Sequence, residues 1–153
     1  MSSTSRLLTV VALLAGLVVY ASLESSAATG PGFIRITDRQ FRYTRVDVGP
    51  RGRSPGDQEI ISDLLFNKKI TSKPIGSARF LCTFMAGITR TCIATISLPR
   101  GELVASGTVR YRQFYDLAIV GGTRLYDDAR GTLTIIRGTR RTTRELLYFR
   151  LTG

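Results

Sequence analysis

The residues that could do chemistry in this chain of 153 residues are carboxylates, arginines and tyrosines, because the sequence contains no histidine. That absence excludes a serine–histidine triad, a histidine-ligated zinc site and an imidazole proton shuttle. A carboxylate inside an apolar core can act as a general acid or base, since burial raises its pKa. An arginine can hold an anionic group or stabilise developing negative charge. The residue types therefore favour acid–base or electrostatic chemistry.

The acidic residues are scattered along the chain without the spacing of a calcium-binding loop. The adjacent Asp127 and Asp128 are interpreted as part of a loop that pairs its own charges with Arg130. The sequence also contains no recognisable cofactor motif. We therefore predict no metal site and no cofactor.

The first 28 residues have the features of a secretory signal. Arg6 precedes an apolar stretch from Leu7 to Leu23, and small residues follow up to Ala28. The alternative is a retained membrane anchor, for which the stretch is slightly short. We predict that residues 1–28 are removed near Ala27 or Ala28, leaving no stable membrane anchor. Residues 29–153 then form one secreted domain, with association to the cell wall as an option.

The formal net charge of +11 predicts attraction to anionic surfaces. Removing residues 1–28 takes away one arginine and one glutamate, so the charge stays the same. No interleaving of aromatic and basic residues along the chain marks a base-stacking platform, so we predict no nucleic-acid partner. Cell-wall polymers, acidic glycans and anionic lipids are the expected neighbours of an exported basic protein.

The two cysteines are placed to form a disulfide. Cys82 and Cys92 are the two cysteines of the chain, and Gly87 lies midway between them. A hairpin that turns at Gly87 would place the two cysteines opposite each other, within reach of a disulfide. An even number of cysteines in an oxidising compartment favours the bond, and two buried thiols are the alternative.

The sequence predicts an all-β domain of eight short strands. Between residues 102 and 112, apolar residues alternate with polar ones at the two-residue period of a strand with one buried face. The eight segments predict an up-and-down barrel or a sandwich, and closure into a barrel would remove exposed edges. The predicted strands are residues 33–48, 58–66, 75–85, 89–98, 102–112, 114–120, 131–137 and 144–151.

Several stretches resemble the dirigent and allene oxide cyclase barrel superfamily. Gly56-Asp57 with Ile61 to Phe66 is similar to the family's segment of an aspartate followed by an apolar pair. Ser72 to Ala78 resembles the lysine–proline–x–glycine turn of plant dirigent proteins. The most specific match is Leu117 to Thr123 followed by Ala129-Arg130-Gly131. The exported start and the cysteine hairpin are more similar to bacterial members than to plant proteins.

The resemblance implies an eight-stranded antiparallel β-barrel, forming a homotrimer, with an apolar pocket for a small hydrophobic ligand. It implies catalytic roles for Arg130, the motif arginine, and for Asp63. The ligand-binding candidates are Tyr126, Asp128 and Tyr111. Arg124 stands where the family usually has a glycine after the Gly-Gly-Thr run. Gly121 and Gly122 are expected to permit a turn with positive φ whatever the function.

Three functions follow from this interpretation. The first is stereoselective coupling or cyclisation of a phenolic or lipid-derived molecule, an isomerase-type or stereodirecting activity. It predicts a cavity into which Arg130 and one or two carboxylates point. The second is a non-catalytic binding protein for a small molecule, with no inward ionisable group. The third is a cell-wall interaction protein that uses its basic surface, in which case binding weakens with salt.

Overall fold

A computed structural model describes residues 32–67, 73–110, 114–138 and 143–152. The predicted signal segment, residues 1–28, and Tyr111 lie outside the described residues. Among the described residues, no helix has the length and apolar character needed to cross a membrane.

Eight antiparallel strands form a closed barrel in which each strand pairs with the next and β8 pairs with β1. This arrangement confirms the predicted all-β barrel over the sandwich. A short 3₁₀ turn, Arg124–Tyr126, lies between β6 and β7. The strands are β1 Gly32–Val46, β2 Gln58–Phe66, β3 Gly76–Ala86, β4 Thr89–Leu98, β5 Gly101–Arg110, β6 Phe114–Gly122, β7 Arg130–Arg137 and β8 Glu145–Thr152.

The barrel has two ends that differ in composition. At the glycine end, where β1 begins, lie Gly76, Gly101, Gly122 and Gly131. At the loop end, β1 finishes and the loop of residues 47–57 leads to β2. The hairpin turn between β3 and β4 also lies at the loop end.

The core lies inside the barrel because alternate residues of every strand point inward. Leu103, Ala105 and Val109 are buried on β5, as the two-residue period predicts. The fully buried apolar side chains line the half of the barrel toward the glycine end and its centre. They include Leu65, Ile96, Leu103, Leu117, Leu133, Leu147 and Phe149.

The predicted disulfide is present and lies inside the barrel. Cys82 on β3 and Cys92 on β4 are direct register partners, and both are buried. The hairpin turns at Gly87, whose φ of 57° lies in the left-handed region. The bond therefore links two adjacent strands within the core.

An irregularity in β1 changes the direction of its side chains. The register with β2 shifts between Gln40 and Arg42, which makes Phe41 an extra residue. Asp38 lies inside before this bulge, and Tyr43 lies opposite the buried Ile61 after it. The bulge therefore brings the Tyr43 hydroxyl to the interior residues at the loop end.

The positive φ angles near the family motif are not where we expected them. Gly121 and Gly122 have no positive φ, so that expectation was wrong, whereas Arg124 has a φ of 56°. The position of Gly122 requires a glycine because of a close approach: an added Cβ would lie 2.2 Å from the Tyr126 carbonyl oxygen. The left-handed backbone at Arg124 gives a physical reason for the glycine usual in the family.

We expect Gly131→Ala to reduce the free energy of unfolding by more than Gly52→Ala does. Gly131 has a φ of 140°, and an added Cβ would lie 1.9 Å from the Arg150 carbonyl oxygen. Gly52 has a φ of 112° with open space around its Cβ position. Gly52→Ala should therefore cost only backbone strain, about 1–3 kcal/mol. Urea denaturation measures both losses, and equal losses would contradict the close approach of β7 and β8.

Candidate functional site

Charged side chains occupy the barrel interior toward the loop end. Asp63 is 3 % exposed and Asp38 is 1 % exposed, on neighbouring strands. Glu59 and Arg90 are also buried, at the starts of β2 and β4. Ionised side chains in such a position must be paired or neutralised. The interior uses both solutions.

Asp38 and Asp63 form a pair of buried carboxyl groups. Asp38 pairs in register with Leu65 and Asp63 with Gln40, so the two aspartates are diagonal neighbours on the inner wall. The backbone N–H of Glu145 donates to Asp38 Oδ1 at 2.6 Å. Within the described residues, neither Asp38 Oδ2 nor Asp63 Oδ1 has a hydrogen-bond partner, and both atoms are buried. Each aspartate therefore presents an oxygen with unused hydrogen-bonding capacity to the interior.

The surroundings of this pair favour its protonated forms. Burial raises the pKa of Asp38 to about 8, and the negative charges of Asp63 and Glu145 add to the shift. Burial raises the pKa of Asp63 to about 7, again with a contribution from Glu145. Arg137 opposes both shifts, but its guanidinium is held by Glu145 through an Nε to Oε1 contact of 2.7 Å. The pair therefore changes its charge near neutral pH.

Glu59 and Arg90 form a buried ion pair in the same half of the barrel. Arg90 Nη1 donates to Glu59 Oε2, and the Tyr43 hydroxyl donates to Glu59 Oε1 at 2.7 Å. Burial and this bond to Glu59 raise the pKa of Tyr43 to about 12. The Arg90 guanidinium also lies 5.9 Å from the centre of the Tyr115 ring. Burial raises the pKa of the Tyr115 phenol, so that group stays protonated at neutral pH.

Asp57 has a structural role in the loop that covers this end. Its carboxylate accepts from Arg45 Nη2 at 2.7 Å, from the Val48 N–H at 3.0 Å and from the Ser54 N–H at 2.9 Å. These bonds, the one from Arg45 first, hold the pKa of Asp57 well below its usual range. Its backbone also pairs with Phe84, whose N–H donates to the Asp57 carbonyl at 2.8 Å. Asp57 therefore fixes the 47–57 loop against the end of β3.

The structure separates the two residues that we predicted as catalytic. Asp63 lies in the interior, whereas Arg130 is exposed at the start of β7, on the outer wall at the glycine end. Arg130 Nη1 donates to the Ala129 carbonyl at 3.0 Å. Tyr126 is half-buried in the 3₁₀ turn, and Asp128 is exposed with a φ of 56°. The predicted site residues therefore do not form one cluster, and their roles stay predictions.

Sequence reasoning missed Asp38, Glu59 and Arg90 as interior residues. The available signal was a charged or polar residue at an inward position of a strand, such as Arg90 two residues before the buried Cys92. In the described part of the chain, no group of three or more histidine, cysteine, aspartate or glutamate side chains could hold a metal ion. The candidate site is therefore a carboxyl pair with arginine and tyrosine neighbours.

Comparison with known proteins yields structural matches. No protein-family model and no curated protein matches the chain. A solved structure described as pyocyanin demethylase is 27 % identical, with a TM-score of 0.69, covering 79 % of this chain and all of that chain. The pterocarpan synthase dirigent protein is 17 % identical, with a TM-score of 0.62, covering 81 % and 94 %. A Diels–Alderase from Streptomyces koyangensis is 14 % identical, with a TM-score of 0.66, covering 80 % and 64 %.

The TM-scores of these matches show that their overall fold is similar to that of this chain. The eight antiparallel strands, their sequential order and the pairing of β8 with β1 are those of one closed barrel. The matches cover about four fifths of this chain. The chain therefore has the closed eight-stranded barrel fold of the dirigent protein and of the other matched structures.

Proposed function

We propose that this protein is an exported barrel that binds a small phenolic or lipid-derived molecule and steers its coupling or cyclisation. Asp63 and Asp38 hold and transfer the proton that such a reaction moves. The observation that carries the proposal is the pair of buried carboxyl groups, each with an oxygen that has no partner among the described residues. Buried polar groups in a folded interior normally have hydrogen-bond partners, so these two atoms are suited to a ligand.

The pair is suited to acid–base chemistry at neutral pH. Two carboxyl groups close together do not both ionise easily, so one tends to keep its proton while the other loses it. The protonated group can donate to a carbonyl or phenol oxygen, and the ionised group can accept a proton. Titration near pH 7 to 8 keeps both forms accessible. No metal or cofactor is needed for such a transfer.

The remaining inner wall favours an apolar ligand. Across the barrel from the carboxyl pair, the inward residues of β4 and β5 include Ala94 and Ala105, which are register partners with short side chains. Tyr115 adds an aromatic ring with a phenol that stays protonated. Small and aromatic side chains with a few polar groups are typical of a small-molecule site. The similar structures described as a pyocyanin demethylase and a Diels–Alderase support small-molecule chemistry for this barrel.

The inward carboxyl groups favour catalysis over passive binding. A carrier for a hydrophobic molecule needs no ionisable group in its interior, and burying one costs free energy. Here Asp38 and Asp63 are both buried without full hydrogen bonding in the described part of the chain. A non-catalytic binding protein remains the second candidate, and turnover measurements separate the two.

The disulfide in the core supports the export of this protein. The Cys82–Cys92 disulfide is typical of oxidising compartments. Together with the signal-like residues 1–28, it supports a secreted protein. The homotrimer implied by the family resemblance is part of the same proposal, and native mass spectrometry of the secreted protein tests both the trimer and a retained ligand.

We expect Asp63→Asn to reduce turnover by at least about a hundredfold while ligand binding persists. The amide keeps the shape of the side chain but cannot transfer the proton. A phenolic and lipid extract supplies the ligand, native mass spectrometry identifies it, and product formation is then measured by chromatography. Asp116→Asn is the matched control, because Asp116 is an exposed carboxylate on β6.

Arg130→Lys completes this set, since Arg130 lies on the outer wall. We expect its turnover to stay within about twofold of the wild type, because it does not share the interior with Asp63. A large loss of turnover in Arg130→Lys, with no loss in Asp63→Asn, would show that the reaction takes place at the glycine end and not at the carboxyl pair. Ligand binding without any turnover in the wild type would favour the carrier.

We expect the free energy of unfolding to fall as pH rises from about 4 to about 8. The pKa values of Asp38 and Asp63 are about 8 and about 7 in the folded protein, against an ordinary value of 3.8. Folding therefore favours the protonated forms, and this stability is present below pH 4 and lost as pH rises through the folded pKa values.

The double variant Asp38→Asn/Asp63→Asn isolates this effect. Its stability should vary less with pH, and the wild type should lose at least about 1 kcal/mol relative to it between pH 5 and pH 8. Urea denaturation at several pH values measures the difference. Parallel profiles for the two proteins would show that the aspartates titrate normally.

A further inference from the structure

The outer wall of the barrel has an uneven distribution of charge. The outward positions of β7, β8 and β1 up to its bulge carry four arginines and no acidic residue among the described residues. We call this surface the arginine face. Its arginines are Arg35, Arg39, Arg130 and Arg150.

The outward positions of the other five strands are balanced in charge. From β2 to β6, the described outward side chains include Arg79 and Arg110 and the acidic Glu102 and Asp116. The positive outward charge of the wall therefore concentrates on three adjacent strands. A uniform basic coat would not produce this asymmetry.

Three of the arginines follow a diagonal across the arginine face. Arg35 on β1 is the register partner of Tyr148, and Arg150 on β8 is the partner of Phe33. Arg130 on β7 is the partner of Thr152. Each arginine is thus offset from the next by two residues across one strand pair, a spacing of about 7–8 Å between backbones. The result is a row of regularly spaced positive charges.

Aromatic rings and hydroxyl groups lie among these charges. The rings of Phe33 and Tyr148 are 5.7 Å apart, and the Arg35 guanidinium lies 5.5 Å from the centre of the Tyr148 ring. Phe33 is 64 % exposed. Thr132 is the β7 partner of Arg150, whereas the Thr134 hydroxyl donates to Asp116 Oδ1 on the adjoining strand β6. Among the described residues, none of the four arginines lies within 4.0 Å of a carboxylate oxygen, as the ion pairs found involve other arginines.

We propose that the arginine face binds a linear acidic polysaccharide. Regularly spaced guanidinium groups match the repeating carboxylates of such a chain. Exposed aromatic rings can pack against sugar rings, and the Thr132 hydroxyl can bond a sugar hydroxyl. A convex barrel wall offers a line of contact to a polymer but only a narrow contact to a flat bilayer. The proposal is independent of the reaction proposed for the interior.

The experiment uses polygalacturonate as the probe and neutral dextran as its uncharged control. Affinity is measured by isothermal titration at low and at raised salt, because exposed charge pairs are screened by salt. We expect Arg35→Gln/Arg150→Gln to weaken binding by roughly fivefold. The matched control is Arg79→Gln/Arg110→Gln, which removes the same charge from the outer surface of β3 and β5, outside the arginine face. We expect that control to change the affinity by less than about twofold.

A third variant tests the aromatic contribution at constant charge. We expect Phe33→Ala to weaken polygalacturonate binding by at least about twofold. Equal losses in the two double variants would show diffuse attraction by net charge and overturn the proposal. Failure of polygalacturonate to bind would also overturn it, as would stronger binding through this face to phosphatidylglycerol vesicles or to a single-stranded oligonucleotide.

Discussion

Closure of the barrel by pairing of β1 with β8 is the constraint on which the other features depend. Once the sheet has no edge, the side of the wall that each residue occupies follows from the two-residue period and from the bulges. Asp38 cannot turn toward water without moving its strand, because Ile36 on the same side belongs to the core. The closed register therefore forces charged residues into an apolar interior.

The interior deals with its charges in two different ways. Glu59 and Arg90 neutralise each other, with Tyr43 satisfying the second carboxylate oxygen. Removing one partner of such a pair leaves an uncompensated buried charge, so a substitution of Glu59 or Arg90 alone is expected to destabilise the fold. Among the described residues, the ion pairs found include neither Asp38 nor Asp63, and burial raises the pKa values of both against the opposing charge of Arg137. Only the second arrangement leaves a titratable proton and carboxyl oxygens without a hydrogen-bond partner among the described residues.

The sequence was sufficient to predict the strands and the cysteine hairpin but insufficient to predict the site. Periodicity and turn residues are local, so all eight strands begin within one residue of their predicted starts, and β2 and β4 match at both ends. Asp38 follows Ile34 and Ile36 at the two-residue period of the inward face, but it was missed because a charged residue is rarely buried. Arg130 matched a family motif, but a motif does not tell which side of the wall a side chain occupies. The row of Arg35, Arg150 and Arg130 comes from three strands distant in sequence and becomes visible only through the register.

One strand connects the two proposed activities. β1 presents Asp38 to the interior and the adjacent Arg39 to the outer surface. Arg35, four residues before Arg39, lies on that same outer surface. Successive side chains of a strand point to opposite faces of the sheet, so inner and outer residues can be substituted independently without altering the backbone hydrogen bonds. Binding to a polymer outside and proton transfer inside therefore place no conflicting demands on the same side chains. The arginine face can hold the protein on an acidic polysaccharide, while the carboxyl pair stays buried in the interior and keeps its raised pKa values.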